Sequence, residues 1–583
     1  MPNTLLETSV PRTLIAWTDR FARPEWRGAV VEGWLFEGAA ARRGAEERLQ
    51  AAGVQARLRS AYKPLLHFFL EEVDRDQLAA VTVRYPVHPL ALPGRFMLEA
   101  YPLAAMLPAL RFEPGGEDLH YEVSLAFKDG RTRTERVFAP NREHEGAGGA
   151  GLLSPTGWLR VRRQADQPPQ IDERHETVFE TLFARMMQAV RAYEWPAQEP
   201  YFERLDIRVD LPGIDEPLPL GHECVSTLEA LHEDIYFSLL EFFQERSGRV
   251  LGDRRLQPGQ IVPDVRATGA APRLRITRTA FASVPAPAAE PAASAEPPLE
   301  ALEAAPTAQR VARELQTILG QRFAAGSRQG RPVEGVYHQG KGAAVFVSGG
   351  QHANETSGVV GALRAAQALQ QQLAHFAVLP LENPDGYALQ RELAAQNPRH
   401  MLHAARYSAL GDDIEYREQP PLYERAARDE ALALSGAQLH VNLHGYPAHE
   451  WTRPLSGYLP QGFELWTIPK GFFLIVRHHA GWEAQARALM EQVSAALAQL
   501  PGLAEFNARQ LALYERHAGK VPFQVLHGTA CALSKVDRPG APVTLITEFP
   551  DETVHGEAFR FAHTVQTEAA LAAVRAWQSL ARR

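Results

Sequence analysis

The order of apolar and polar positions gives residues 307–583 a regular rhythm of short apolar runs and longer amphipathic segments. Short apolar runs between turn residues predict buried strands, and apolar positions that recur every three or four residues predict helices. Their alternation predicts an α/β fold, in which helices cover both faces of a mixed, mostly parallel sheet. The predicted strands are residues 343–347, 376–381, 438–443, 472–476, 523–526 and 544–549, and the predicted helices are residues 358–373, 482–500, 503–518 and 557–581.

Residues 1–283 follow a different pattern, which predicts an α+β region of one or two subdomains. Alternating segments on either side of Asp129-Gly130 predict a β-hairpin over residues 119–138. Ser226 and Glu229 have the spacing of a capping box at the start of a helix. The predicted helices of this region are residues 41–58, 63–74, 172–193 and 227–244.

The stretch between these two regions, residues 284–306, is rich in proline, alanine and glutamate and has few large apolar side chains. Such a composition cannot bury a core, and its prolines favour an extended backbone. We therefore interpret it as a linker between a domain over residues 1–283 and a second domain over residues 307–583. A partly helical connector over residues 299–305 is the alternative.

The overall composition limits the classes of protein to which the chain can belong. Its 583 residues, 45% hydrophobic and 22% charged, are typical of a multi-domain globular protein. The 61 basic and 69 acidic residues give a net charge of −8, without the basic excess that drives binding to nucleic acid. The sequence has no apolar stretch long enough to span a bilayer and no signal-peptide pattern, so we expect a cytoplasmic protein that binds no membrane.

The two cysteines, Cys224 and Cys531, are far apart in the sequence and argue against a disulfide framework or a thiolate metal cluster. A metal site would therefore use histidine, aspartate or glutamate side chains. One dense group of such residues surrounds Cys224, but its histidines are ten positions apart and fit one helix face poorly. We interpret this group as a helix cap followed by a solvated helix face; it consists of His222, Glu223, Cys224, His232 and Glu233.

Three motifs with the chemistry of a metal site lie at the ends of predicted strands. His352 and Glu355 follow a Gly-Gly loop, and their spacing lets both side chains turn toward one point. His444 follows the end of a later strand, and His440 within that strand is a competing ligand candidate. Glu548 lies near the end of the last strand, where a carboxylate beside a metal-bound water serves as a general base.

These motifs, in this order, resemble those of the M14 zinc carboxypeptidases, which also carry a segment like the Asn-Pro-Asp-Gly-Tyr at residues 383–387. The resemblance covers the C-terminal half and implies a zinc carboxypeptidase-like fold with one Zn²⁺. It implies that His352, Glu355 and His444 are the zinc ligands. It implies that Glu548 is the general base, which activates the water and then protonates the leaving amine.

The resemblance also implies roles for two arginines, although the sequence around them matches the family's pattern less well than the ligand motifs do. Arg399, which follows the Asn-Pro-Asp-Gly segment, would stabilise the oxyanion, and Arg406 would bind the terminal carboxylate of the substrate. Ala405 stands where the family has the asparagine that assists this carboxylate-binding arginine. Tyr446, just beyond the strand-terminal histidine, is a further candidate for substrate contact. The candidates to replace the family's substrate-binding tyrosine are Lys535 and Tyr514.

The sequence therefore predicts a zinc-dependent hydrolase that cleaves the C-terminal peptide bond of a substrate with a free carboxylate. One alternative is a zinc amidohydrolase acting on N-acyl amino acids or cell-wall peptides, since the interval between Glu355 and His444 is closer to that of the family's deacylase branch. A second alternative is a non-catalytic binding protein on a peptidase scaffold, against which the intact motifs argue. The role of residues 1–283 and the oligomeric state are left open.

Overall fold

The computed structural model describes residues 3–282, 296–460 and 462–581. Most of the predicted linker, residues 284–295, lies outside the described residues. The rest of it begins the C-terminal half, where the 3-10 turn Leu299–Ala301 packs Leu299 into the core of that half. Among the described helices, none combines the length and the apolar character that are needed to cross a bilayer.

Residues 3–282 form three four-stranded sheets, with the strand orders β1-β16-β12-β15, β11-β10-β2-β3 and β5-β4-β6-β7, and two short strand pairs, β8–β9 and β13–β14. The strands are β1 (Asn3–Ser9), β2 (Val30–Leu35), β3 (Gln55–Ser60), β4 (Leu78–Tyr85), β5 (Leu110–Pro114), β6 (His120–Phe127), β7 (Thr132–Phe138), β8 (Asn141–Glu145), β9 (Gly151–Pro155), β10 (Gly157–Arg162), β11 (Ile171–His175), β12 (Arg204–Leu211), β13 (Asp215–Pro217), β14 (Cys224–Ser226), β15 (Gln260–Ala267) and β16 (Arg273–Thr279). The helices are α1 (Thr13–Phe21), α2 (Ala39–Ala51), α3 (Pro64–Glu71), α4 (Arg95–Glu99), α5 (Leu103–Met106), α6 (Val178–Ala192) and α7 (Thr227–Arg246). The predicted hairpin is confirmed as β6 and β7.

Two predicted helices of this half are shorter than expected, because each predicted segment also contains a strand. Residues 41–58 hold most of α2 and then Gly53, whose φ of +83° ends the helix before β3 begins. Residues 172–193 hold β11 and then α6, which begins where Thr177 and Glu180 form a reciprocal capping box. Both helix predictions are therefore wrong over their strand portions.

The C-terminal half is built around one nine-stranded sheet in the described part of the chain. Its strands are β17 (Gln321–Gly326), β18 (Pro332–His338), β19 (Lys341–Gly349), β20 (Ala374–Leu379), β21 (Leu439–Pro447), β22 (Phe473–His478), β23 (Gln524–Leu526), β24 (Thr529–Lys535) and β25 (Val543–Glu552). Its helices are α8 (Ala308–Gln316), α9 (Ser357–Gln371), α10 (Pro384–Ala394), α11 (Glu424–Ser435), α12 (Glu483–Leu497), α13 (Leu503–Ala518) and α14 (Glu557–Leu580). Every strand and helix predicted for this half is present. Three strands, β17, β18 and β24, and three helices, α8, α10 and α11, are additional.

The strand order of this sheet is β17-β18-β20-β19-β21-β25-β22-β24-β23. The four central strands, β20, β19, β21 and β25, are parallel to one another. The pairs that flank them, β18–β20 and β25–β22, are antiparallel, and β22 and β24 form one further parallel pair. The sheet is therefore mixed, as predicted, but it is not mostly parallel, because four of its eight described strand pairs are antiparallel. Helices α9, α12 and α14 cover one face and α11 covers the other. The carboxyl ends of β19, β21 and β25 consequently meet at one edge, above the centre of the sheet.

One hydrophobic core extends across the boundary between the two halves. Apolar side chains of the N-terminal sheets and of α7 pack together with Met401 and Trp451 of the C-terminal half. Helix α7 is buried along most of its length, including His232 and Glu233. The prediction of a solvated face on this helix is therefore wrong, because the loops of the C-terminal half cover the side that the N-terminal sheets leave free.

Candidate metal centre

Strand β19 ends in a tight Gly-Gly loop that places His352 and Glu355 over the carboxyl edge of the sheet. Gly350 has a φ of +64°, a backbone conformation that favours glycine. A Cβ atom on Gly349 would lie 2.6 Å from the carbonyl oxygen of Gly358, near the start of α9. The two glycines thus allow the loop to turn sharply and α9 to pack closely behind the two candidate ligands.

Strands β21 and β25 bring two further predicted residues to the same place. His444 in β21 is paired in register with Glu548 in the adjacent parallel strand β25. The Nδ1 atoms of His352 and His444 are 3.0 Å apart. Each lies 2.8 Å from an oxygen of Glu355, His352 from Oε1 and His444 from Oε2. The structure therefore brings together the three residues that the resemblance implies as zinc ligands.

This donor set fits a zinc ion. Imidazole nitrogens and a carboxylate oxygen are common Zn²⁺ ligands, and a site with three protein ligands leaves one coordination position free. Bonds of about 2.0–2.2 Å place neighbouring donors roughly 3.3 Å apart, close to the observed spacing. The side chains of His352, Glu355 and His444 are at most 6% exposed, so a bound cation would compensate a carboxylate and two nitrogen lone pairs that water hardly reaches.

Asp413 holds the outer side of His352, a role for which the sequence carried no signal. Its Oδ2 lies 3.3 Å from His352 Nε2, and its Oδ1 accepts a hydrogen bond of 2.9 Å from Gln351. Burial alone would raise the pKa of Asp413, but His352 and the nearby Arg254 and Arg406 hold that pKa well below its ordinary value. A carboxylate in this position fixes the ring orientation and leaves Nδ1 free to bind a metal.

Glu548 and two of the three candidate ligands, His352 and His444, line a cavity of about 140 Å³. The Glu548 side chain is partly exposed within it. Removal from bulk water and the neighbouring Glu355 carboxylate raise the pKa of Glu548 well above its ordinary value of 4.5. A carboxylate that is ready to take up a proton therefore faces the space beside the ligands. Other side chains that line this cavity include Arg254, Arg406, Tyr446, Trp451, Trp466 and Arg477.

The two arginines named from the sequence occupy very different positions. Arg406 lies at the metal centre, where its Nη1 donates to Glu355 Oε1 over 2.6 Å. Arg399 is exposed and outside the lining of this cavity in the described part of the chain, so the structure does not bring it to the metal centre. A third arginine, Arg254, comes from the N-terminal half, and its guanidinium lies 5.4 Å from the ring centre of Phe463.

Tyr446 lines the cavity with its ring, but its hydroxyl is engaged by the backbone. It donates to the carbonyl of Gly471 over 2.6 Å and accepts from the amide of Lys470 over 2.9 Å. The Lys470 ammonium lies 3.8 Å from the ring centre of Trp466, and burial lowers its pKa to about 7. Tyr446 is thus placed to shape the cavity, and the buried Lys470 behind it was not marked by any sequence motif.

The remaining candidates from the sequence lie away from the three ligands. His440 stacks on Phe346 with 4.4 Å between the ring centres, and its Nε2 lies 2.7 Å from Ser348 Oγ. Tyr514 packs in a small apolar cluster, and Lys535 is exposed beside Asp537. None of the three belongs to the described lining of the metal cavity.

The Asn-Pro-Asp-Gly-Tyr segment begins α10 and supports the metal centre from behind. Asn383 caps this helix by accepting from the amide of Gly386, and its Nδ2 donates to the carbonyl of Tyr407 over 3.1 Å. Asp385 pairs with Arg331 over 2.7 Å. The segment therefore fixes the loop that carries Arg406 and makes no direct contact with the ligands in the described residues.

No family model matches the chain, and no curated protein matches it. Among solved structures, it is similar to a metallo-carboxypeptidase from Burkholderia cenocepacia, with 15% identity, 47% of this chain and 71% of that chain covered, and a TM-score of 0.29. A metallo-carboxypeptidase from Pseudomonas aeruginosa, solved with (2-guanidinoethylmercapto)succinic acid, has 14% identity, 47% and 68% coverage, and a TM-score of 0.28. Carboxypeptidase A from Helicoverpa armigera has 11% identity, 47% and 72% coverage, and a TM-score of 0.28.

Proposed function

We propose that this protein is a zinc-dependent carboxypeptidase of the M14 type, which removes the C-terminal residue of a peptide. The observation that carries the proposal is the convergence of His352, Glu355 and His444 on one point, beside Glu548 and an open cavity. Such a set of three ligands with an adjacent carboxylate is the arrangement that metal-assisted amide hydrolysis requires.

The residues around this point have separable roles in the proposed reaction. When bound there, zinc supplies Lewis acidity to the scissile carbonyl and to water. Glu548 accepts a proton from the attacking water at a carboxylate oxygen and later transfers it to the nitrogen of the leaving amine. Arg406, whose Nη1 already lies 2.6 Å from Glu355 Oε1, donates to the oxyanion that develops on the carbonyl. Asp413 keeps His352 in the orientation that ligation needs.

We assign the oxyanion role to Arg406 in place of Arg399. Another arginine must then bind the terminal carboxylate of the substrate. Arg406 is too close to the ligands to reach a carboxylate one residue beyond the scissile bond. Arg254 and Arg477 line the cavity farther out, and their side chains are 32% and 24% exposed. A guanidinium in either position can pair with a free terminal carboxylate, which restricts cleavage to the last residue of a peptide.

The substitution Glu548→Gln tests this function, because it removes the proton acceptor and keeps the size of the side chain. We expect zinc content close to that of the wild type and a loss of about 10²–10⁴-fold in kcat on a blocked dipeptide with a free carboxylate. Glu557→Gln is the matched control, since the Glu557 side chain is 94% exposed. Near-normal hydrolysis by Glu548→Gln with zinc bound would refute the assignment.

The substrate class is tested with the unmodified protein. We expect release of the C-terminal residue from peptides with a free carboxylate, and little release from the same peptides with an amidated C-terminus. Cleavage of N-acyl amino acids with peptides left intact would identify the amidohydrolase alternative. Zinc far below one equivalent, with no hydrolysis of either class, would identify the non-catalytic alternative.

A further inference from the structure

A second group of potential metal ligands lies at the interface between the two halves. Among the described residues, two groups bring three such atoms within 4.8 Å of one another: the proposed catalytic ligands, and Cys224 with Glu229 and His449. Glu229 and His449 are 3% and 1% exposed, while Cys224 is half-buried. The sequence marked Cys224 only as part of a helix-cap group, and it gave no sign that His449 joins it, because the two residues are separated by more than two hundred positions.

Each half of the molecule contributes to this second group. Cys224 begins β14, and Glu229 lies in the first turn of α7, both in the N-terminal half. His449 follows the end of β21, five residues beyond the proposed ligand His444. The predicted capping box is only half formed, because Ser226 Oγ accepts from the Glu229 amide while the Glu229 carboxylate turns toward His449.

The contacts of His449 are compatible with metal binding. Its Nε2 lies 2.9 Å from both oxygens of Glu229, and its Nδ1 lies 3.2 Å from Thr553 Oγ1. The Glu229 carboxylate thus lies on the Nε2 side of the ring, and ligand atoms of Cys224, Glu229 and His449 lie within 4.8 Å of one another. The hydroxyl on the other nitrogen is typical of a metal-binding histidine.

We propose that Cys224, Glu229 and His449 bind a second Zn²⁺ at the interface between the two halves. A thiolate, an imidazole and a carboxylate form a donor set that favours zinc over magnesium or calcium, which prefer oxygen ligands alone. The ion ties β14 and the start of α7 to the segment that follows the proposed catalytic ligand His444. This site is independent of the proposed hydrolysis.

A cavity at the boundary between the two halves lies next to this site. The neighbours of the ligands along the chain, His222, Glu223 and Ala448, line a cavity between the two halves. Cys224 is the most exposed of the three ligands. A metal ion can therefore enter from this side, and the position left by three protein ligands is available to water.

The test uses the full-length protein reconstituted with Co²⁺, which replaces zinc and is visible in absorption spectra. We expect two metal equivalents per chain and a thiolate-to-cobalt charge-transfer band in the near ultraviolet, because Cys224 contributes a sulfur ligand. Cys224→Ser should lose the band and one equivalent. His352→Gln should lose the other equivalent and keep the band, which separates this site from the proposed catalytic one.

Cys531→Ser is the matched control. Cys531 is buried in β24, where its thiol donates to the carbonyl of Thr529, so both equivalents and the band should persist. One equivalent with no thiolate band in the wild-type protein would overturn the proposal without reference to any variant. A band that survives Cys224→Ser would overturn it as well. Neither readout depends on whether the protein hydrolyses a peptide.

Discussion

Arg254 shows how a single residue from the N-terminal half enters the proposed catalytic cavity. It lies in the connection between α7 and β15, and its carbonyl accepts from the Asp413 amide over 3.0 Å. Its Nη1 is 3.6 Å from Asp413 Oδ2, and its guanidinium lies near the rings of Tyr416 and Phe463. The side chain is therefore held in place by the C-terminal half while part of it stays open to the cavity.

We predict that Arg254→Ala raises KM for peptides with a free carboxylate much more than it changes kcat. Loss of a hydrogen bond to a charged group costs about 1.5–3 kcal/mol, which corresponds to roughly 10–150-fold in kcat/KM. Steady-state kinetics on a blocked dipeptide measure the effect. Arg255→Ala is the neighbouring control, because the Arg255 side chain is 63% exposed and pairs with Asp253. Equal losses in both variants would contradict a direct role for Arg254.

Close packing of α9 against β21 determines where His444 lies relative to His352 and Glu355. A Cβ atom on Gly358 in α9 would lie 2.6 Å from the carbonyl oxygen of Leu443, the residue before His444. The helix can approach the strand this closely only because position 358 has no side chain. The geometry of the metal centre thus depends on contacts between two elements as well as on the ligands themselves.

We predict that Gly358→Ala lowers the thermal unfolding midpoint and weakens zinc binding. Overpacking of this kind costs about 1–3 kcal/mol, and any shift of β21 moves His444. Gly44→Ala is the matched control in the interior of α2, since a Cβ there meets nothing within 4 Å. It should be neutral or stabilising by up to about 1 kcal/mol. Calorimetry measures the unfolding midpoint of both variants, and zinc titration measures their affinity for the metal. Equal midpoints and equal affinities in the two variants would contradict the packing argument.

Buried charges join the two halves of the molecule. Lys63 pairs with Glu450, and the His403 Nδ1 lies 2.7 Å from Glu233 Oε2. Arg453 binds Glu241 over 2.6 Å. Removal of one partner from a buried pair leaves an uncompensated charge, which is strongly destabilising. The N-terminal half is therefore part of the folded structure around the proposed active site.

We predict that a chain beginning at residue 296 is insoluble or aggregated when produced alone. It would expose the apolar side chains that pack against α7 and would leave buried charges unpaired. Co-expression with residues 1–282 should restore a soluble complex, which size-exclusion chromatography detects. A soluble, zinc-binding monomer of the shorter chain with full activity would contradict this dependence.

The sequence by itself determined most of the central strands and the longer helices of the C-terminal half, and the candidate metal ligands that the structure brings together. Strands such as β19 and β21 are buried on both faces, so their apolar runs are continuous and easily recognised. His352, Glu355 and His444 lie at strand ends, where short spacings and order along the chain carry the information. Local patterns were less informative at residues 41–58 and 172–193, where a strand and a helix follow each other within one predicted segment.

The tertiary structure alone decided which side chains surround these ligands. Arg399 and Arg406 are close in sequence, but only Arg406 reaches the ligands, because the loop that carries it is fixed by Asn383. Arg254 and the group formed by Cys224, Glu229 and His449 depend on the docking of the two halves. Contacts between residues far apart in sequence leave no local spacing or periodicity in the chain, so sequence patterns could not reveal them.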